Sequence, residues 1–292
     1  MKILEALAKF QTQLEADGRS HHTIAQYRRH IRTLAHWLAT QAHSGEIEAI
    51  GHETIASFLS STQARTRPDG RIKKATAMNA MRSTIRTFFR YLHEAGYVSI
   101  NPARLVRRAV CGSPPPRALS EDEATRLMDT LAQGEGPEEE RDHAMFHTML
   151  ATGIRLGSAV ALEVEDVDLV AGELHLRTMK GDRSEKVFLN KAIRDHLRRF
   201  IGSRTTGPLF PGNHGSHMSE RHVQRRFRQW AERAGIGRGS STHVLRHSLA
   251  TSLYRRTGDI FLVKEALRHR SISSTMVYAS MNENRLRAAL EG

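Results

Sequence analysis

The stretch "SSTHVLRHSLATSLYRR", residues 240–256, places His243, Arg246 and His247 within five residues of a segment that reads as a helix. Residues three and four apart on a helix share a face, so His243 and Arg246 can address one anion. His243 and His247 could likewise face one metal. Arg246 between them would repel a dication, and the chain contains neither HExxH nor CxxC. The same stretch also fits an ordinary polar helix in a chain with 17 His and 44 Lys+Arg. The rest of the chain must decide.

A chain of 292 residues is long enough for two domains. Its hydrophobic fraction, 39%, fits a folded soluble protein. No apolar run reaches the length of a membrane span. The start, "MKILEALAKFQTQLEADG", alternates charge with apolar residues and lacks a signal-peptide core. A cytoplasmic protein without membrane partners is expected. The single cysteine, Cys111, excludes an internal disulfide and fits a reducing compartment. The formal net charge is +13 and the sequence pI about 10.5. Most basic residues are Arg, whose fork matches phosphate oxygens. A nucleic-acid partner follows from a field of that size. Charge does not separate an enzyme from a binder.

Ile24, Tyr27, Ile31, Leu34 and Leu38 recur at helical spacing in "SHHTIAQYRRHIRTLAHWLAT". Met78, Met81, Ile85, Phe88, Phe89 and Leu92 do so in "ATAMNAMRSTIRTFFRYLHEAGYV", with Arg82, Arg86 and Arg90 four apart on another face. A shorter helix fits Thr54–Ser61. These stripes read as the core of a helical bundle. "SINPARLVRRAVCGSPPPRALSEDEA" reads as a linker, since Pro114, Pro115 and Pro116 favour an extended path. Ser120–Glu123 then has capping-box spacing. The expected division is a helical domain over 1–106, a linker over 107–118 and a second domain over 119–292. Residues 1–110 hold 17 Lys+Arg against 8 Asp+Glu, so the first domain is the stronger electrostatic clamp. The second domain is mixed. A helix through "DHAMFHTMLAT" stops at Gly153, and "GELHLRTMKGDRSEKVFLN" reads as two strands around a Gly-Asp turn. Helices follow near Lys191–Ile201, near Glu220–Ala234 and in the 240–256 stretch. The predicted fold is mainly α with a small antiparallel β-sheet in the C-terminal domain.

Nucleotide-binding loops (GxGxxG, GxxxxGK[ST]) and the GxSxG elbow are absent. No metal site is expected, and His21, His22, His214 and His217 read as surface residues. What remains is a cationic and nucleophilic set: Arg155 just past a helix end, Lys180 at the hairpin tip, His243, Arg246, His269 and Tyr278. Each alone also fits a plain role as a solvated charge or an amphipathic helix residue.

Their order resembles that of the tyrosine recombinase (phage-integrase-like) family. "ATGIRLGSAVAL" resembles the family's TGLRxSELxxL, and "MKGDRSEKVFL" its GKGxKxRxVPL. "STHVLRHSLATSL" resembles PHxLRHTFATHL, and "EALRHRSISSTMVYA" resembles LGHxSIxTTxxYxH. The resemblance covers the whole second domain, and the helical first domain resembles the family's core-binding domain. It implies a compact, two-domain, Xer-like recombinase with a tyrosine-recombinase catalytic domain and a SAM-like DNA-binding domain. Tyr278 is implied as the nucleophile that forms a 3′-phosphotyrosyl link and frees a 5′-hydroxyl. Lys180 is implied as the general acid, His243 as a proton-transfer and orienting residue, and His269 as a donor to the phosphate. Arg155 and Arg246 can clamp the two non-bridging oxygens. No cofactor is implied, because fixed cations stabilise the charge and the covalent link stores the bond energy. His247 reads as structural.

Two positions depart from the family. Ser158 stands where Glu is usual, a carboxylate that supports the first Arg, and Glu163 or Asp166 could substitute for it. Arg268 replaces the Gly before His269, where it could crowd the helix end or add a DNA contact. Candidate DNA contacts are Lys73, Lys74, Arg82, Arg86 and Arg90, then Arg107, Arg108 and Arg117 around the linker. Arg221, Arg225 and Arg228 lie away from the apolar face of "SERHVQRRFRQWAERAGI". The resemblance further implies double-stranded DNA with an inverted-repeat core, four protomers at synapsis, a possible paired recombinase, and a C-terminal segment, "NENRLRAALEG", that docks on a neighbouring protomer. A catalytically silent DNA-binding regulator and a type IB topoisomerase are the competing readings.

Overall fold

The computed structural model describes residues 1–112, 117–177, 185–237, 240–269 and 271–279. The chain divides into two compact units, Met1–Ser113 and Pro114–Gly292.

The first unit contains α1 (Ile3–Ala16), α2 (His21–Thr40), α3 (His52–Ser60), the single turn α4 (Thr62–Arg65) and α5 (Ala75–Glu94). Ser20 caps α2 by accepting from the Thr23 amide. Behind it Ile24, Ile31, Leu34 and Leu38 are buried, as their spacing predicts. The α5 stripe is buried from Met78 to Leu92, and Phe10 of α1 packs edge-on against Phe88. The N-terminal segment was legible only as lacking a signal core. It folds as α1 because Ile3, Leu7, Phe10 and Leu14 repeat at helical spacing and reach that shared core.

The stretch expected as a linker is anchored at both ends. Asn79 of α5, buried at 4% exposure, donates to the Ala109 carbonyl and accepts from the Ala109 amide, both at 2.9 Å. Val106 is buried in the first core. At the other end Leu119 sits in the second core, with its amide on Ser248 Oγ at 2.8 Å. Residues 113–116, which include the three prolines, lie outside the described residues.

His30 is buried beside Thr84, with Nδ1 to Oγ1 at 2.8 Å, and burial lowers its pKa from 6.5 to about 4. The folded state therefore holds this ring neutral, while the unfolded chain protonates it below pH 6.5. Stability is unaffected by this group above pH 6.5 and falls as the pH drops from there toward 4. The urea midpoint of the first unit is expected to be lower at pH 5 than at pH 7, and His30→Asn is expected to flatten that difference. An unchanged wild-type midpoint would remove His30 as a buried neutral group.

The second unit contains α6 (Glu121–Ala132), α7 (Pro137–Thr152), α8 (Leu156–Val160), β1 (Val167–Asp168), β2 (Glu173–Leu176), β3 (Glu185–Phe188), α9 (Lys191–Ile201), α10 (Glu220–Arg233), α11 (His243–Thr257), α12 (Ile260–Ala266) and α13 (Met276–Ala279). The capping box at Ser120 and Glu123 forms with both of its reciprocal hydrogen bonds. Pro137 opens α7, three glutamates occupy its first turn, and Gly153 closes it in the left-handed region at φ 65°. The strands form one antiparallel sheet in the order β1-β2-β3, with Leu176 opposite Glu185. β2 and β3 are the expected hairpin strands, whereas the two-residue β1 is too short to leave a periodic signal. The Gly-Asp turn lies outside the described residues. The core gathers Met145, Phe146 and Met149 of α7 against Phe227 and Trp230 of α10. At its edge Asp142, 1% exposed, accepts from Arg141, Arg226 and Trp230 Nε1 and so ties α7 to α10.

Candidate active site

The cleft is built where α7 ends. Gly153 must turn the chain in the left-handed region. A Cβ there would also come within 2.9 Å of Leu249 and Leu267, so α11 and the end of α12 close directly over it. One buried residue later, Arg155 emerges to solvent as the N-cap of α8.

Arg246, on α11, lies beneath it. It is 7% exposed, and its two terminal nitrogens donate to the carbonyls of Gly153 and Leu267. Those carbonyls end the segments that lead to Arg155 and to His269, so one guanidinium joins both. Among the described residues two of its five N–H groups are committed, which leaves three for an anion. Burial lowers its pKa to about 10, with the charge of Arg155 adding to the effect, and it stays protonated at neutral pH.

His243 begins α11 and is exposed. His269 is half-buried, with Nδ1 2.8 Å from Thr275 Oγ1. Burial, then the charges of Arg246 and Arg155, lower its pKa to about 4, so the ring is neutral. In the tautomer in which the Thr275 hydroxyl donates to Nδ1, the proton sits on Nε2, where it can be given to an acceptor.

Tyr278, on α13, is 2% exposed within a small apolar cluster of Ala250, Val263 and Leu267. Its hydroxyl lies 2.6 Å from Nδ1 of His247. Burial raises the phenol pKa and lowers that of the imidazole, so the phenol keeps its proton beside a neutral ring, to which it can donate in the tautomer that leaves Nδ1 bare. His247, structural on its sequence pattern, thus touches the hydroxyl of the residue expected to be the nucleophile. Nothing local distinguishes it from His243, and only the packing of α13 on α11 reveals the contact. Lys180 lies outside the described residues, as does the "NENRLRAALEG" segment apart from its surroundings up to Ala279.

The two family departures acquire a structural context. Glu163 and Asp166 hold other partners: Glu163 accepts from His217 at 3.0 Å, and Asp166 accepts from Arg177 at 2.8 Å. Among the described residues, the carboxylate that lines the cleft with Arg155, Ser158, Arg246 and Arg268 is Glu185 of β3. Its charge favours the protonated form of Arg246. Glu185 was missed, although it occupies the Arg position of the GKGxKxRxVPL motif, a signal visible in the sequence. Arg268 holds φ 52°, the conformation that suits the family's Gly. Its side chain crosses to β3 and donates to the Lys186 carbonyl at 2.5 Å.

The basic residues differ in exposure and in how they are tied. Arg86, Arg90 and Arg108, with Arg104, line a depression of about 270 Å³ in the first unit, and Arg90 also pairs with Glu94 at 3.9 Å. Lys74, Arg107, Arg221, Arg225 and Arg228 are exposed. Lys73 instead donates to the Ala64 carbonyl at 2.7 Å, and Arg82 to Asn79 at 3.1 Å. Arg117 donates to Gly237, Ser240 and Glu123, which makes it a tie within the second unit.

Residues 117–285 match the phage integrase family, and residues 7–96 match the N-terminal SAM-like domain of phage integrases. The chain belongs to the phage integrase family, the tyrosine recombinases. It is 32% identical to the tyrosine recombinase XerC of Chromobacterium violaceum over 292 residues, covering 99% of this chain and 94% of that protein. Against the tyrosine recombinase XerC of Neisseria meningitidis serogroup C the identity is 31%, over 94% of this chain and 91% of the relative. The fold matches the XerH site-specific recombinase in its post-cleavage complex with palindromic difH substrate, with a TM-score of 0.74 and 21% identity, over 96% of this chain and 84% of that one.

Proposed function

We propose that this chain is a site-specific recombinase that cuts and rejoins DNA strands through a 3′-phosphotyrosyl intermediate, with Tyr278 as nucleophile. The observation that carries the reading is that Arg155 and Arg246 line one cleft, with His269 and the His247-bound Tyr278 hydroxyl near enough to Arg246 for its charge to act on both. Arg155 and the remaining N–H groups of Arg246 neutralise the non-bridging oxygens of a phosphodiester, and His243 and His269 donate at its edge. The Tyr278 oxygen attacks phosphorus and gives its proton to His247. The bond to the 5′ oxygen breaks, and that oxygen takes a proton from Lys180. Attack by a 5′-hydroxyl reverses these steps. At 2% exposure Tyr278 cannot reach a DNA phosphate, so the α13 segment must shift when DNA binds. Because His247 must be neutral to accept the proton, cleavage is level near neutrality and falls on the acid side with an apparent pKa below 6.5.

In this reading Glu185 is a positioning residue that takes over from the family's Glu at Ser158. Glu185→Gln is expected to slow cleavage about tenfold, Glu185→Asp to retain most of the rate, and Ser158→Glu to restore it in the Glu185→Gln background. A purely structural role would leave the double variant as slow as the single one. We assign DNA binding jointly to residues 1–106 and 119–292, joined through 107–118, with inverted-repeat core DNA as substrate, four protomers at synapsis and a cytoplasmic location. No helix among the described residues is long and apolar enough to cross a membrane.

The test is a nicked half-site suicide substrate, on which a covalent protein–DNA adduct is expected. Specific binding without an adduct would favour a silent regulator. Relaxation of supercoiled plasmid lacking any site would favour a topoisomerase.

A further inference from the structure

Outside the strand-exchange cleft, three imidazoles meet between α7 and α9. His143 and His147 stand four apart on α7, and His196 faces them from α9. One nitrogen from each lies within 4.8 Å of the other two. His147 Nδ1 and His196 Nδ1 are 2.8 Å apart, and the His143 and His196 ring centroids are separated by 4.3 Å. All three rings are half-buried.

We infer that His143, His147 and His196 form a three-histidine site for a late first-row divalent cation, Zn²⁺ foremost, that staples α7 to α9. Three imidazoles without thiolate or carboxylate select Zn²⁺, Cu²⁺, Ni²⁺ or Co²⁺ over Mg²⁺ and Ca²⁺. Zn–N bonds of about 2.0–2.1 Å in tetrahedral geometry place the nitrogens roughly 3.3 Å apart. One pair stands closer than that, at 2.8 Å, and all three nitrogens lie within 4.8 Å of one another, so side-chain rotation brings them to that spacing. The His147–His196 pair shares a proton across its short contact, and a metal replaces that proton. The opposing charge is Arg199 on α9, which acts on His143 and His196. It is exposed and can turn toward solvent. Three protein ligands leave a fourth position for water. Among the described residues, the hydrogen bond and ring contacts of these histidines are with one another. The sequence hint was the i, i+4 pair in "DHAMFHTML", but its third member comes from 49 residues beyond His147, on another helix.

The experiment uses the full chain after chelator treatment, titrated with Zn²⁺ by calorimetry and with Co²⁺ by visible absorption. One ion per chain, a tetrahedral nitrogen-ligand Co²⁺ spectrum and a melting midpoint raised by several degrees are expected. His147→Gln and His196→Gln are each expected to abolish all three, while His214→Gln changes none. Absence of binding in the wild type, or binding that persists in both variants, would overturn the site. The wild-type Co²⁺ spectrum decides the matter even if a variant fails to fold. Tyr278→Phe is expected to bind the metal as the wild type does, so this result stands apart from the recombinase reading.

Discussion

Tyr278→Phe is expected to eliminate the covalent adduct on a suicide substrate, a loss of at least about 10⁴-fold in cleavage, while DNA affinity changes little. The variant removes one oxygen and keeps the ring that packs against Ala250, Val263 and Leu267. The fold cost is the hydrogen bond to His247, about 1 kcal/mol. Activity and stability therefore separate: a folded, DNA-binding protein that forms no adduct assigns the nucleophile to this oxygen. An adduct of wild-type yield would move the nucleophile elsewhere.

Arg246→Ala is expected to fail in both respects. Its guanidinium satisfies the carbonyls of Gly153 and Leu267 from a buried position. Truncation leaves two buried acceptors and a void, and the second unit should lose about 2–5 kcal/mol. The phosphate also loses its deepest cation, so cleavage should fall at least about 10³-fold even at a temperature where the variant stays folded. Arg246→Lys should recover part of the stability and little of the rate, because a single ammonium cannot join two carbonyls and still face a phosphate with a planar fork. Melting curves and adduct yields, read on the same preparations, check both halves. A stable Arg246→Ala protein would contradict the tie between the two segments.

The helices of the first unit were legible because burial at 3.6-residue spacing leaves a direct imprint, as from Met78 to Leu92 on α5. The Ser120 cap and the Gly153 stop were legible because each is a local rule of backbone hydrogen bonding and φ. The candidate site was legible as four ordered motifs, which named Arg155, Lys180, His243, Arg246, His269 and Tyr278 without saying what each touches. The hydrogen bonds of Arg117, by contrast, reach 120 and 123 residues along the chain, and no composition or charge pattern separates it from the exposed Arg107.

By itself the sequence determined the family, the helical periodicities, the basic balance and the order of the chemical groups. These are properties of residue type and spacing along one chain. Only the tertiary structure decided that Arg246 is partly spent on two carbonyls, that Glu185 lines the cleft with Ser158, and that His247 holds the Tyr278 hydroxyl. It alone brought His196 to His143 and His147. The reason is common to all four. Each depends on which faces of α7, α9, α11, α12, α13 and β3 pack together, and packing joins residues whose separation along the chain carries no signal of their distance in space.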